Sequence, residues 1–155
     1  MTQTLLEQIK TAPKPVDRKI AQSHLTQFFS SRDTQDLTRL IAHVDYYPKF
    51  RDLLLALAGH SPYLWRLVHR DPSRLLQIIE SDPEAHFSGL VSSCAQAATI
   101  HAGDEAAMKR RLRLIKQEAA LLIALCDLGG VWDVIRVTEA LSDLADASLN
   151  AALNF

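Results

Sequence analysis

The sequence predicts an all-α fold, a compact bundle or orthogonal array of about seven to nine helices, and three observations carry that expectation. Leu and Ala dominate the apolar residues, while only five glycines occur in 155 residues. No stretch alternates β-branched or aromatic residues with polar ones for the length of a strand. Three dipeptides, Ser61-Pro62, Asp71-Pro72 and Asp82-Pro83, each set a capping residue before a proline at the first helical position, where the missing N–H costs nothing.

Taken in order, a short leading helix precedes Lys14-Pro15, and Asp17 caps a helix reaching about Ser30. Thr34 opens one reaching about Val44. Asp45 is expected to open the next, which carries Phe50, Leu53, Leu54 and Leu57 towards Gly59 with Pro48 tolerated in its first turn. The three prolines then start three helices in succession. Asp104 opens a long helix with Leu112, Ile115, Leu122 and Ile123 on one side, and Gly129-Gly130 ends it. That helix turns from basic around Lys109, Arg110, Arg111 and Arg113 to almost wholly apolar between Ala119 and Leu128, so its second half is expected to be buried on most sides. A last helix starts near Trp132 and sets Ile135, Leu141, Leu144, Leu149 and Leu153 at helical spacings, which reads as its core face. It runs to Asn154-Phe155 without a glycine cap or polar tail, as fits a truncated polypeptide or an ordinary frayed helix end. No fixed-period repeat, low-complexity tract or long linker divides the chain, so residues 1–155 read as one helical domain.

Lys and Arg number 17 against 18 Asp and Glu, a formal net charge of −1, so no general field draws a polyanion and nucleic-acid binding is not expected. Cys94 and Cys126 stand alone, without a CxxC pair, as reduced thiols inside helices suited to the cytoplasm. The longest uninterrupted apolar run, Ala119 to Cys126, falls far short of the ~20 residues that span a bilayer, and no secretory leader opens the chain. No membrane association follows.

The residue patterns supply no complete active site. His24, His43, His60, His69, His86 and His101 form no HxxxH or HExxH pair and have no cysteines beside them, so each reads as solvated or locally hydrogen-bonded, and no metal site is expected. Asp143 and Asp146, one turn apart, lack a third oxygen ligand and read as a polar stripe opposite the leucines. Asp127 follows the apolar run and needs either water at the helix end or a partner, for which an arginine is the natural choice. Neither cysteine sits on a tight exposed turn, and no GxSxG, GxGxxG or GxxxxGK[ST] motif occurs, so catalytic residues are not expected in this span. Lys109, Arg113 and Lys116 share a helix face at i, i+4 and i+7 and suit an anion. Glu105 four residues before Lys109, and the want of an interleaved aromatic platform, favour a solvated face over a binding one.

Two regions carry a family resemblance. The first is Ser61-Pro62-Tyr63-Leu64, following Gly59-His60 and leading through Arg66 to Asp71-Pro72. The second is Leu112-Arg113-Leu114-Ile115-Lys116, then Ala119 through Cys126, then Asp127-Leu128-Gly129-Gly130-Val131-Trp132, and finally Leu141-Ser142-Asp143-Leu144-Ala145-Asp146. In order and spacing these resemble the N-terminal helical region of the bifunctional glutamine synthetase adenylyltransferase and adenylyl-removing enzymes. The resemblance runs over residues 59–153, and residues 1–58 match only in being helical.

The resemblance implies a scaffold segment that precedes a nucleotidyltransferase domain in the same chain and is inactive alone. Such enzymes attach AMP from ATP to a tyrosine of glutamine synthetase and remove it by phosphorolysis with Mg²⁺, under control of a PII signalling protein, and so regulate nitrogen assimilation. Their catalytic Asp-x-Asp signature has no match here, so no catalytic residue carries over. Arg111, Arg113 and Lys116 are the side chains through which a helical neighbour would lend positive charge to a phosphoryl site. The competing expectation is a free-standing adaptor that takes a partner helix in an apolar groove, anchored by an exposed Trp65, Trp132 or Tyr63.

Overall fold

The computed structural model describes residues 2–155, which form nine helices and no strand. They are α1 (Leu5–Gln8), α2 (Arg18–Ser30), α3 (Gln35–Tyr46), α4 (Pro48–His60), α5 (Pro62–Arg70), α6 (Pro72–Ile79), α7 (Pro83–Ile100), α8 (Glu105–Leu128) and α9 (Val134–Leu153). The predicted capping chemistry is in place. Ser61, Asp71 and Asp82 each accept a hydrogen bond from the backbone N–H three residues on, with proline at the first helical position, and Asp17, Thr34, Asp104 and Asp133 do the same for α2, α3, α8 and α9. Each satisfies a donor that the helix itself leaves unpaired.

One expected start is wrong. Asp45 lies in the last turn of α3, and α4 begins at Pro48 after Tyr47, whose side chain makes no cap. The proline ring pushes the residue before it out of helical conformation, and Tyr47 sits at φ −112° and ψ 89°. The break therefore falls at the residue preceding Pro48 rather than at the better capping residue.

Helix α4 is the axis of the first half of the molecule. Phe50 and the unbroken run Leu53 to Leu57 are all buried, which requires neighbours on every side, and α2, α3 and α5 supply them. In the second half α8 plays the same part, with Ala119, Leu121, Leu122, Ile123, Leu125 and Cys126 buried. Helices α7 and α9 pack against it and against each other. One hydrophobic cluster runs continuously through both halves, from Leu5 to Leu144.

The end of α8 ties the halves together. Gly130 takes φ +65°, the left-handed conformation that glycine enters without a Cβ penalty. Its N–H donates to the Asp127 carbonyl at 3.1 Å and that of Val131 to Cys126 at 2.8 Å, the paired bonds of a Schellman stop. The Gly129 carbonyl then accepts from the N–H groups of Lys10 and Thr11 at 2.8 and 3.2 Å, so the strap after α1 is held to the end of α8.

The expected core face of α9 is also corrected. Val137, Ala140, Leu144, Ala147 and Ala151 form its inner face, recurring at three- and four-residue steps. Ile135, Leu141, Leu149 and Leu153 are exposed at 66%, 52%, 59% and 73%. The inner face of α7 carries Cys94, Ala97 and Ala98. Small side chains on both helices let their axes approach closely, and that contact outcompetes the leucines for the interior.

Candidate functional site

The basic cluster of α8 stands on the exposed first half of that helix. Lys109, Arg113 and Lys116 line one shallow groove of about 480 Å³ together with Tyr63 of α5, Leu112, Gln117 and Ser148 of α9. The groove forms because α8 turns its basic stripe towards the start of α5 on one side and the end of α9 on the other. Arg111 is not part of it. Two residues before Arg113, it lies about 200° around the helix. The structure thus brings Arg113 and Lys116 together and sets Arg111 apart.

Lys109 is engaged within the helix by Glu105, whose carboxylate its ammonium meets at 2.5 Å. That hydrogen bond and the adjacent positive charge lower the Glu105 pKa. Both side chains are about two-thirds exposed, so the pair adds little to stability. Arg113 and Lys116 make no ion pair among the described residues. With the Tyr63 phenol opposite, the groove offers charge-assisted donors to a carboxylate or phosphate oxygen. It holds no nucleophile with a base in reach.

Four of the six histidines make hydrogen bonds, mostly to residues distant in sequence. His24 Nδ1 lies 3.1 Å from the Ala58 carbonyl, and His60 Nε2 lies 2.7 Å from that of Lys14. His43 meets Glu80 at 2.8 Å, and His86 bridges Ser81 and Glu118 at 2.8 and 2.7 Å. His69 packs against Phe28 and Trp65, and its pKa is lowered first by burial, then by Arg32 and His24. Both cysteines are free and buried, and burial drives the Cys126 thiol far above its ordinary range. Asp127 is exposed and reaches water at the helix end. No arginine pairs with it among the described residues.

Two arginines carry structure that the sequence did not reveal. Arg74 is 6% exposed and donates from Nη2 to the Leu67 carbonyl at 3.1 Å, pinning α6 to the end of α5. Arg136 lies over the rings of Trp132 and Phe87, with its guanidinium 4.7 and 5.3 Å from their centres, and makes a forked bond to Glu84. Arg74 interrupts the apolar side of α6 and is marked by its position there, but nothing local distinguishes Arg136 from a surface cation.

The aromatic anchors expected of an adaptor are otherwise placed. Trp65 and Trp132 are 9% and 7% exposed and belong to the core, leaving only Tyr63 of the three at the surface. Among the described residues no helix is long and apolar enough to cross a membrane. Nor do three His, Cys, Asp or Glu side chains come together there as metal ligands would.

The family model described as glutamate-ammonia ligase adenylyltransferase matches residues 51–155. A bifunctional glutamine synthetase adenylyltransferase/adenylyl-removing enzyme of Xanthobacter autotrophicus is 42% identical over 147 residues, 95% of this chain and 15% of that protein. The protein of the same name from Bradyrhizobium diazoefficiens is 50% identical over 108 residues, 70% of this chain and 11% of its own length. One from Rhodopseudomonas palustris is 48% identical over 121 residues, covering 77% and 12%. The chain therefore spans between a tenth and a sixth of the length of the curated relatives it matches. No solved structure matches it. By the family model and by these identities alike, the chain belongs to the glutamate-ammonia ligase adenylyltransferase family.

Proposed function

We propose that this chain is the N-terminal helical scaffold of an enzyme that adenylylates and deadenylylates glutamine synthetase, folded as one unit and inactive alone. The observation that carries the reading is the 42% identity to the Xanthobacter enzyme along 95% of the chain. The architecture supports it. Most buried residues make one continuous hydrophobic cluster, and the groove with convergent cations pairs no nucleophile with a base and, among the described residues, no carboxylate cluster stands ready for a metal.

The ATP and Mg²⁺ of the reaction belong to the nucleotidyltransferase domain that follows in the same polypeptide. The carboxylates here do not fit a magnesium cradle, since Asp143 and Asp146 are exposed without a third converging ligand. Glutamine synthetase and a PII signalling protein are partners of that whole enzyme, which works in the cytoplasm to regulate nitrogen assimilation. Of the three candidate supporting cations, Arg113 and Lys116 share one groove, which supports their acting as a pair on one phosphate or carboxylate, while Arg111 lies outside it.

Adenylylated glutamine synthetase, inorganic phosphate and Mg²⁺ provide the test. The enzyme encoded by the full reading frame is expected to release ADP and the pure 155-residue chain to release none; measurable turnover by the chain alone overturns the reading. Arg113→Ala with Lys116→Ala in the full enzyme should slow release a few-fold, in line with about 1 kcal/mol for exposed charge contacts, and leave the melting temperature unchanged.

A further inference from the structure

Helix α9 has two apolar faces and this chain covers one. Val134, Ile135, Leu141, Leu149 and Leu153 are all exposed and fall on the side away from the alanine-lined inner face. Thr138, Ser142, Ala145 and Ala152 lie among them, so the stripe is low enough for another backbone to approach. It runs the length of a 20-residue helix, about 30 Å. Isolated exposed leucines are ordinary, but a continuous stripe along one helix marks an interaction surface. Near its start Val134, Ile135, Thr138 and Ser142 form an open, shallow surface beside Glu139 and Asp143.

We propose that this face seats the polypeptide that follows residue 155 in the longer enzyme, through an apolar ridge edged by Lys or Arg. The inference rests on the functional reading above, and three observations select the occupant. The curated relatives are single polypeptides in which the matched part makes up no more than 15% of the length, so most of the enzyme is tethered to this unit at high effective concentration. Leu149 and Leu153 stand in the last two turns of α9, beside residue 155, so a continuing chain reaches them without a long linker. Glu139, Asp143 and Asp146 form an acidic flank along the stripe. A second copy pairing α9 against α9 brings no cation to that flank, because the only Lys or Arg of α9 is Arg136, which is turned inward to Glu84.

Thiol labelling tests the assignment, because the native cysteines are buried. Leu149→Cys, with Arg110→Cys as an exposed control on α8, is made both in the 155-residue chain and in the full-length enzyme, and each is treated with a maleimide. Expected are fast labelling at both positions in the short chain and at least tenfold slower labelling at Leu149→Cys alone in the enzyme. Equal rates in the two contexts overturn the proposal. So does protection in the short chain that disappears on dilution, which would make a second copy the occupant, and so does a reading frame that stops at residue 155. ADP release by the same preparations separates the two claims. Activity without protection removes only the docking face, and protection without activity removes only the functional reading.

Discussion

Helices α8 and α9 are the two longest, 24 and 20 residues, and both are rich in leucine and alanine, yet they use these residues in opposite ways. The second half of α8 buries leucine on nearly every side because α5, α7 and α9 surround it. Helix α9 turns Ala140, Ala147 and Ala151 inward beside Leu144, and Leu141, Leu149 and Leu153 outward. Which residue of a helix becomes core is thus settled by the neighbour it meets. A surface of small side chains on α7 selects a matching small-residue face on α9, and close backbone approach recovers in dispersion what the missing leucines would have given.

The sharpest way to break this contrast is a charge on the buried face of α8. Leu122→Asp buries a carboxylate with no partner, at a cost of several kcal/mol against a total stability of about 5–15 kcal/mol. Circular dichroism should show the chain largely unfolded, and an unchanged melting temperature would mean that this face of α8 is not core. Next comes Ala140→Leu, which enlarges a fully buried position on the inner face of α9 and should cost about 1–3 kcal/mol in urea denaturation. A neutral or stabilising result would show that α9 can settle on a leucine face after all. Asp104→Ala and Asp133→Ala remove the caps of α8 and α9, at 2.9 and 2.8 Å from the N–H groups they accept. Each should cost about 1 kcal/mol, and a much smaller loss for one would mark that helix end as frayed. Smallest of all, Leu149→Ser on the outer face should change stability by no more than about 0.5 kcal/mol. A larger loss in the 155-residue chain would place that leucine in its core.

Helix starts were legible wherever the signal is local. A capping side chain three residues from its donor works through bonds confined to one turn, so Ser61, Asp71 and Asp82, each with proline next to it, and Asp104 without one announce their helices. Asp45 misled because two local rules competed there, and the steric rule at Tyr47-Pro48 outweighs the capping preference. The candidate groove was half legible. Helical spacing puts Lys109, Arg113 and Lys116 on one face, but Tyr63 reaches them from 46 residues before Lys109, and only packing brings α5 to that place. Trp65 and Trp132, offered as surface anchors, are core residues because a tryptophan's size says nothing about which side of the helix has a neighbour.

By itself, then, the sequence determined that the chain is helical, where most helices begin, where α8 ends at Gly129-Gly130, and to which family the residues belong, since all of these are written in contiguous residues. The tertiary structure alone decided which face of α9 is covered, that Arg74 and Arg136 are tied inward, and that Tyr63 joins Arg113 and Lys116 in one groove. Each of those outcomes depends on the shape and charge of a helix distant in sequence. The free energy that settles them is contact between surfaces, which no single segment encodes.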